Sequence, residues 1–289
     1  MYKPRHREVL ELMKGAYDLH THTAPDFGPR ALNDKELLEQ ADEFGMAGVM
    51  LKNHLDPTPA RAILANTTGG YQAKAYGSAV MNLSIGGLNP IAARYYLQLG
   101  AKIIWMPTVH ARNQAEYFGR DLVTNHPGIR LLDEEGNLKP EVLKILDLVK
   151  EYEGAIATGH ISIGESIALC AAARERKVRT VLTHPDWTCT TIPVEIQKQL
   201  AEQGVMVEKL WFDIGINHVT AEYMAQTIRD LGAENCLMAT DRGQAGKEYP
   251  VEGMMMFMDA MLDCGISCED IYKMTHDNPK WVLQEGLMD

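Results

Sequence analysis

Ala16-Tyr17-Asp18-Leu19-His20-Thr21-His22-Thr23, running into Ala24-Pro25-Asp26-Phe27-Gly28-Pro29-Arg30, is the stretch on which the reading of this chain turns. Tyr, Thr and Leu favour extended backbone, and the Pro and Gly residues that follow break it, so 16–23 reads as a strand feeding an ordered loop. On a strand, residues two apart point to one face, so the imidazoles of His20 and His22 reach the same point in space. Two nitrogen ligands at one strand end suit zinc and similar first-row divalent ions.

Working outward, the same alternation recurs down the chain. Asn33 is placed to cap a helix over 34–44, and 47–54 (AGVMLKNH) reads as a second strand. Further strands are expected at 73–81, 101–108 (AKIIWMPT), 154–160 (GAIATGH), 179–184 (RTVLTH), 204–210 and 235–241 (NCLMATD). Helical spacing places helices at 90–99, 140–152, 164–176, 193–203 and 220–231, then at 254–263 and 269–274, with a last turn or two at 279–284. Strands alternating with helices and no linker imply an α/β fold, a (β/α)8 TIM barrel in a single domain over 1–289. The one oversized connection, Ala111–Lys139 after the fourth strand, contains a hairpin signal at Leu132-Asp133-Glu134-Glu135-Gly136-Asn137 and reads as a lid or substrate-contacting insertion.

Composition narrows the function classes. A chain of 289 residues, 46% hydrophobic and 23% charged, buries a core without staples. Its net charge of −11 argues against nucleic acid or an anionic membrane as partner. No apolar run is long enough for a signal peptide or a membrane span, so the cytoplasm is the expected location, and a small molecule is the expected partner, with a homo-oligomer an open possibility. The five cysteines form no CxxC pair and read as reduced thiols; Cys189, just after His184, is the one placed near a pocket. Met254, Met255, Met256, Met258 and Met261 on one helix read as packing or a subunit contact.

The expected strands end in a consistent set of polar residues: His20 and His22 on the first, His160 on the fifth, His184 on the sixth and Asp241 on the eighth. Barrel enzymes assemble their sites at that end. A lone histidine ending a strand is ordinarily a hydrogen-bonded structural residue. Five metal-ligating groups spaced by whole βα units are a different matter, and point to a divalent metal site.

This constellation resembles the amidohydrolase superfamily and, more loosely, its phosphotriesterase-like branch, with Thr275-His276-Asp277-Asn278-Pro279 similar to the family's Asn-Pro helix start after strand eight. The resemblance implies a metal-dependent hydrolase in which water, activated on a divalent ion, most naturally zinc, cleaves an amide, ester, lactone or similar bond. It implies Asp241 as proton acceptor, and His184 as either a ligand or the group that polarises the scissile bond. Members with two ions carry a carboxylated Lys or a Glu on strand four. Ile103-Ile104-Trp105-Met106-Pro107-Thr108 offers neither, so one ion is expected, with a second held differently, Lys52 included, left open. Lys52, His54, His110 and Arg242 are the candidate substrate contacts; Lys52 could instead pair with a carboxylate, and Glu208 either points into the barrel mouth or pairs with Lys52 or Lys209. The competing readings are a phosphoesterase of the PHP type, which also opens on Asp-x-His-x-His, a decarboxylase of the same superfamily, and a metal-binding barrel without activity.

Overall fold

A computed structural model describes residues 2–119 and 126–285. Eight parallel strands pair in chain order. They are β1 (Tyr17–His22), β2 (Gly48–Lys52), β3 (Lys74–Val80), β4 (Ala101–Trp105), β5 (Ala155–Ala157), β6 (Arg179–Leu182), β7 (Val205–Leu210) and β8 (Cys236–Ala239). The sheet closes on itself where β8 runs out: Asp241 N donates to His20 O at 2.8 Å, His22 N donates to Arg242 O at 2.8 Å, and Thr21 bridges Arg242 in parallel. The fold is the expected (β/α)8 barrel.

The helices are α1 (Glu8–Met13), α2 (Asp34–Glu43), α3 (Pro59–Thr68), α4 (Pro90–Gln98), α5 (Arg112–Phe118), α6 (Pro140–Glu151), α7 (Ile163–Glu175), α8 (Val194–Ala201), α9 (Ala221–Leu231), α10 (Pro250–Asp263), α11 (Cys268–Tyr272) and α12 (Asn278–Leu283). Their starts follow sequence chemistry. Asn33 caps α2 with a reciprocal bond from Glu36, Ser162 and Glu165 do the same for α7, and Asn89 with Pro90 opens α4. Helices α1, α3 and α5 were not expected. α3 (PARAILANTT) buries only Pro59 and Ala62, so its sequence carries little of the apolar periodicity that marks a helix.

The barrel interior is filled by Leu19, Met50, Val80, Ile103, Trp105 and Val181, among others, and α12 contributes Val282 and Leu283 to the same cluster. Between strands and helices lies a larger apolar layer in which Met254, Met255, Phe257, Met258 and Met261 are fully buried, so four of the five stripe methionines are core and Met256 is half-buried. Each such side chain removed from water contributes on the order of 1.5–3 kcal/mol. In the insertion, a turn at 133–137 and a Leu132–Leu138 bridge form the expected hairpin, while residues 120–125 of the insertion lie outside the described residues. No helix among the described residues is long and apolar enough to cross a membrane.

Candidate metal centre

The polar strand ends converge at the mouth where the barrel closes. β5, β6 and β8 stop short of their polar residues, so His160, His184 and Asp241 stand on the first turn beyond each strand. His184 and Asp241 have φ of +23° and +49°, a backbone region that non-glycine residues rarely occupy and that recurs at functional sites. Gly243 closes the turn behind them. At φ +127° it lies so near His22 that a Cβ would fall 1.7 Å from the His22 carbonyl oxygen, so only glycine fits.

His20 Nε2, His22 Nε2 and Asp241 Oδ1 form one buried group: Asp241 Oδ1 lies 3.4 Å from the first and 3.0 Å from the second. His160 and His184 stand alongside as a pair, Nε2 to Nε2 at 3.1 Å, with the His184 ring stacked 5.9 Å from that of His20. The structure thus gathers all five expected residues at one mouth but divides them into a tight trio and a neighbouring couple.

Burial holds the imidazoles neutral, as ligation requires. It lowers His20 and His184 to about 3, and His22 and His160 well below the usual histidine range. The far nitrogens are oriented by partners. His20 Nδ1 meets Glu208 at 3.2 Å, His160 Nδ1 bonds Gln114 Oε1, and His184 Nδ1 meets Thr190 Oγ1 at 2.9 Å. An acceptor on one ring nitrogen leaves a lone pair on the other, the usual arrangement behind a metal-binding histidine.

These residues fit a divalent ion. His20 Nε2 is buried and has no hydrogen-bond partner, although its Nδ1 is fixed by Glu208, and it faces a carboxylate oxygen. An ion between them would satisfy it. His22 departs from the pattern: Arg30 Nη2 approaches its Nδ1 at 3.3 Å, so the neutral ring carries its proton on Nε2 toward Asp241. For that nitrogen to ligate, the proton must move to Nδ1 and Arg30 must turn to Asp26 alone, which it already meets at 2.6 Å.

Glu208 points into the barrel mouth, the first of its two expected readings. It pairs with neither Lys52 nor Lys209. It accepts from His20 Nδ1 and from the His184 backbone N–H at 3.1 Å, tying two strand ends together. Burial raises its pKa, and the Lys52 charge opposes that. Lys209, on the opposite face of β7, is bonded to Asp186 at 2.7 Å and Gln197 at 3.0 Å. Glu208→Gln, which keeps one acceptor and turns an amide toward the second donor, is expected to weaken affinity for an added divalent ion about 10- to 100-fold. Competition with a chromophoric chelator measures this; an unchanged affinity would remove Glu208 from the site.

Of the four candidate substrate contacts, two face the cavity above the histidines. Lys52 and His54 line it with Arg30, Trp187, Phe212 and Gln244, around a volume of about 180 Å³. His110 does not: it lies buried by the start of the insertion, its Nδ1 accepting the Leu83 N–H at 3.3 Å. The Arg242 guanidinium is also turned away, bonded to Glu248 at 2.7 Å and set over the Phe212 ring. Strand direction fixes facing only within a strand, and both residues lie beyond one. Cys189 is part-buried and its thiol is pushed up to about 12 by desolvation, so it stays protonated. Gln114, Thr190 and Phe212 carried no motif; their positions after the fourth, sixth and seventh strands were the only signal available.

Solved structures of low sequence identity share this barrel fold over nearly the whole chain. An amidohydrolase from Pseudomonas aeruginosa superposes with a TM-score of 0.65 at 13% identity, covering 96% of this chain and 98% of that one. A probable dipeptidase, PvdM, from the same organism gives 0.64 at 11% identity, with 96% and 98% covered. A probable 2-pyrone-4,6-dicarboxylic acid hydrolase from Acinetobacter baumannii, with citric acid bound, gives 0.61 at 12% identity, with 93% and 99% covered. No curated protein matches the sequence. By sequence, residues 15–208 match a family model described as "Family of unknown function (DUF6282)", and the chain belongs to that family.

Proposed function

We propose that the protein is a metal-dependent hydrolase of small molecules, with one divalent ion, zinc by its donor set, held by His20, His22 and Asp241 and completed by His160 or His184. The observation that carries this is the convergence of His20 Nε2, His22 Nε2 and Asp241 Oδ1, in which one buried ring nitrogen has no hydrogen-bond partner. Support for a single ion comes from β4. Where a bridging carboxylate would stand, Trp105 packs its ring 4.9 Å from His20 and 4.8 Å from Lys52 Nζ.

When bound, the ion would supply Lewis acidity that lowers the pKa of water from about 16 to about 7. The protein's own groups do the rest. Asp241 accepts the proton released as water oxygen bonds to the scissile carbonyl carbon, then returns it to the departing nitrogen or oxygen as the old bond breaks. Where His160 completes the shell, the His184 proton moves from Nδ1 to Nε2, Nδ1 then accepts from the Thr190 hydroxyl, and Nε2–H can polarise the substrate oxygen. Trp187 and Phe212 wall the cavity and limit competing water.

Metal analysis of the purified protein, followed by chelation and zinc reconstitution against a panel of esters, lactones and amides, tests this. About one equivalent of metal is expected, with hydrolysis lost on chelation and restored by zinc. Failure to take up zinc, or hydrolysis indifferent to chelation, would sink the reading.

A further inference from the structure

We propose that Lys52 is the specificity-determining residue of this site and anchors a carboxylate of the substrate, so that the enzyme acts on small carboxylate-bearing compounds. The inference rests on the hydrolase reading above and adds to it the substrate class.

Charge accounting around the cavity leads there. Arg30 is paired with Asp26 at 2.6 Å, and Arg242 with Glu248. Glu208 is occupied by His20 and the His184 N–H, and Asp241 by the two β1 histidines. Lys52 differs. It is 1% exposed, and among the described residues its ammonium has no carboxylate within 4.0 Å and no hydrogen bond; it rests over the face of Trp105, 4.8 Å from the ring centroid. A buried ammonium is costly unless paired, and the Trp105 face together with the charges of Asp241 and Glu208, both beyond 4.0 Å, compensates only part of that cost.

The position of Lys52 makes the missing partner a ligand. It ends β2, with its Cα in register with that of His22, and it lines the cavity that the histidines and Asp241 also line. An anion entering there meets Lys52 on one side while its reacting bond lies against the trio. One unpaired cation matches a singly charged carboxylate better than a phosphate dianion. The cavity, about 180 Å³ and walled by Trp187 and Phe212, lies below the usual size of ligand sites, about 300–1,000 Å³, so the compound is small.

The test uses zinc-loaded protein titrated calorimetrically with malonate and with malonamate, its half-amide. Both keep one carboxylate that the ion can take, and they differ only in the second. Malonate is expected to bind about ten- to a hundredfold more tightly, the increment of a charge-assisted hydrogen bond. Lys52→Met should abolish that difference with zinc content unchanged, and Lys52→Arg should keep part of it. Equal binding of the two probes, or a difference that survives in Lys52→Met, overturns the assignment while leaving the metal reading intact. Inorganic phosphate binding more tightly than malonate and depending on Lys52 would replace the carboxylate with a phosphoester and overturn it as well. Protein that takes up no zinc fails both readings together.

Discussion

Asp241→Asn should leave a folded barrel and lower kcat/KM by about 10²- to 10⁴-fold on the best substrate of a hydrolysis panel. The substitution is chosen by backbone geometry. Asp241 sits at φ +49°, where Asn is among the residues best tolerated, whereas Ala or Leu would add strain to the chemical change. The contacts that close the barrel there are made by the main chain. Asp241 N donates to His20 O, and Asp241 O accepts from Gln244 Nε2 at 2.7 Å, and neither depends on the carboxylate. What is lost is the anionic oxygen that faces His20 and His22. An amide cannot take up a proton at neutral pH and is a poorer ligand. Zinc content measured beside the rate separates the two effects. Rate loss with zinc retained assigns proton transfer to Asp241, and rate loss in step with zinc loss assigns it to the ligand shell. A variant within tenfold of the wild type would remove Asp241 from the chemistry.

That residue also shows how far the sequence carries. Polar groups ending otherwise apolar runs located the barrel mouth, because a closed parallel barrel has no other place for them that avoids burial without partners. Facing was legible inside β1, where period two puts His20 and His22 together. It was not legible past the strand ends. There the chain turns through positive φ at His184 and Asp241, and side-chain direction depends on turn geometry. The same blindness put His110 and Arg242 in the cavity. Glu208 and Lys209 hid differently. Two adjacent charges on a strand look like a solvent edge, yet they point to opposite faces of a closed sheet, are 1% and 0% exposed, and each needs its own buried partner. Those partners, His20 and Asp186, come from strand ends distant in sequence.

Asp18→Ala should cost at least about 3 kcal/mol of stability, the low end of the sum expected for the three groups it strands, whereas Asp18→Asn should cost little at acid pH and stabilise the protein at alkaline pH. Asp18 lies beneath the histidines on β1, and its side chain fastens the barrel seam. Oδ1 accepts from the N–H groups of His20 and Thr240 at 3.1 Å each, and Oδ2 lies 2.5 Å from Thr240 Oγ1. Alanine leaves two buried N–H groups and a hydroxyl without that partner, each at about 1–3 kcal/mol, and opens a small void. Asparagine keeps the Oδ1 acceptor and offers Thr240 a donor, as a protonated carboxyl would. The proton matters because burial raises Asp18 to about 7, against the opposing pull of its hydrogen bonds to Thr240 and His20. A carboxyl whose folded pKa lies above its unfolded value holds its proton in the native state while the unfolded chain releases it. Its stabilising contribution is therefore complete below about pH 4 and is lost as pH rises toward about 7, with a slope of at most about 1.4 kcal/mol per pH unit. The amide introduced by Asp18→Asn does not titrate, so the stability difference between that variant and wild type should move in the variant's favour between about pH 4 and 7 and level off above. Urea unfolding of both proteins across that range reads the difference directly and cancels the titration of Glu208 and the histidines common to both. A pH-independent difference would mean that Asp18 is ionised in the native seam, and a mild Asp18→Ala would mean that the main chain alone holds β1 to β8.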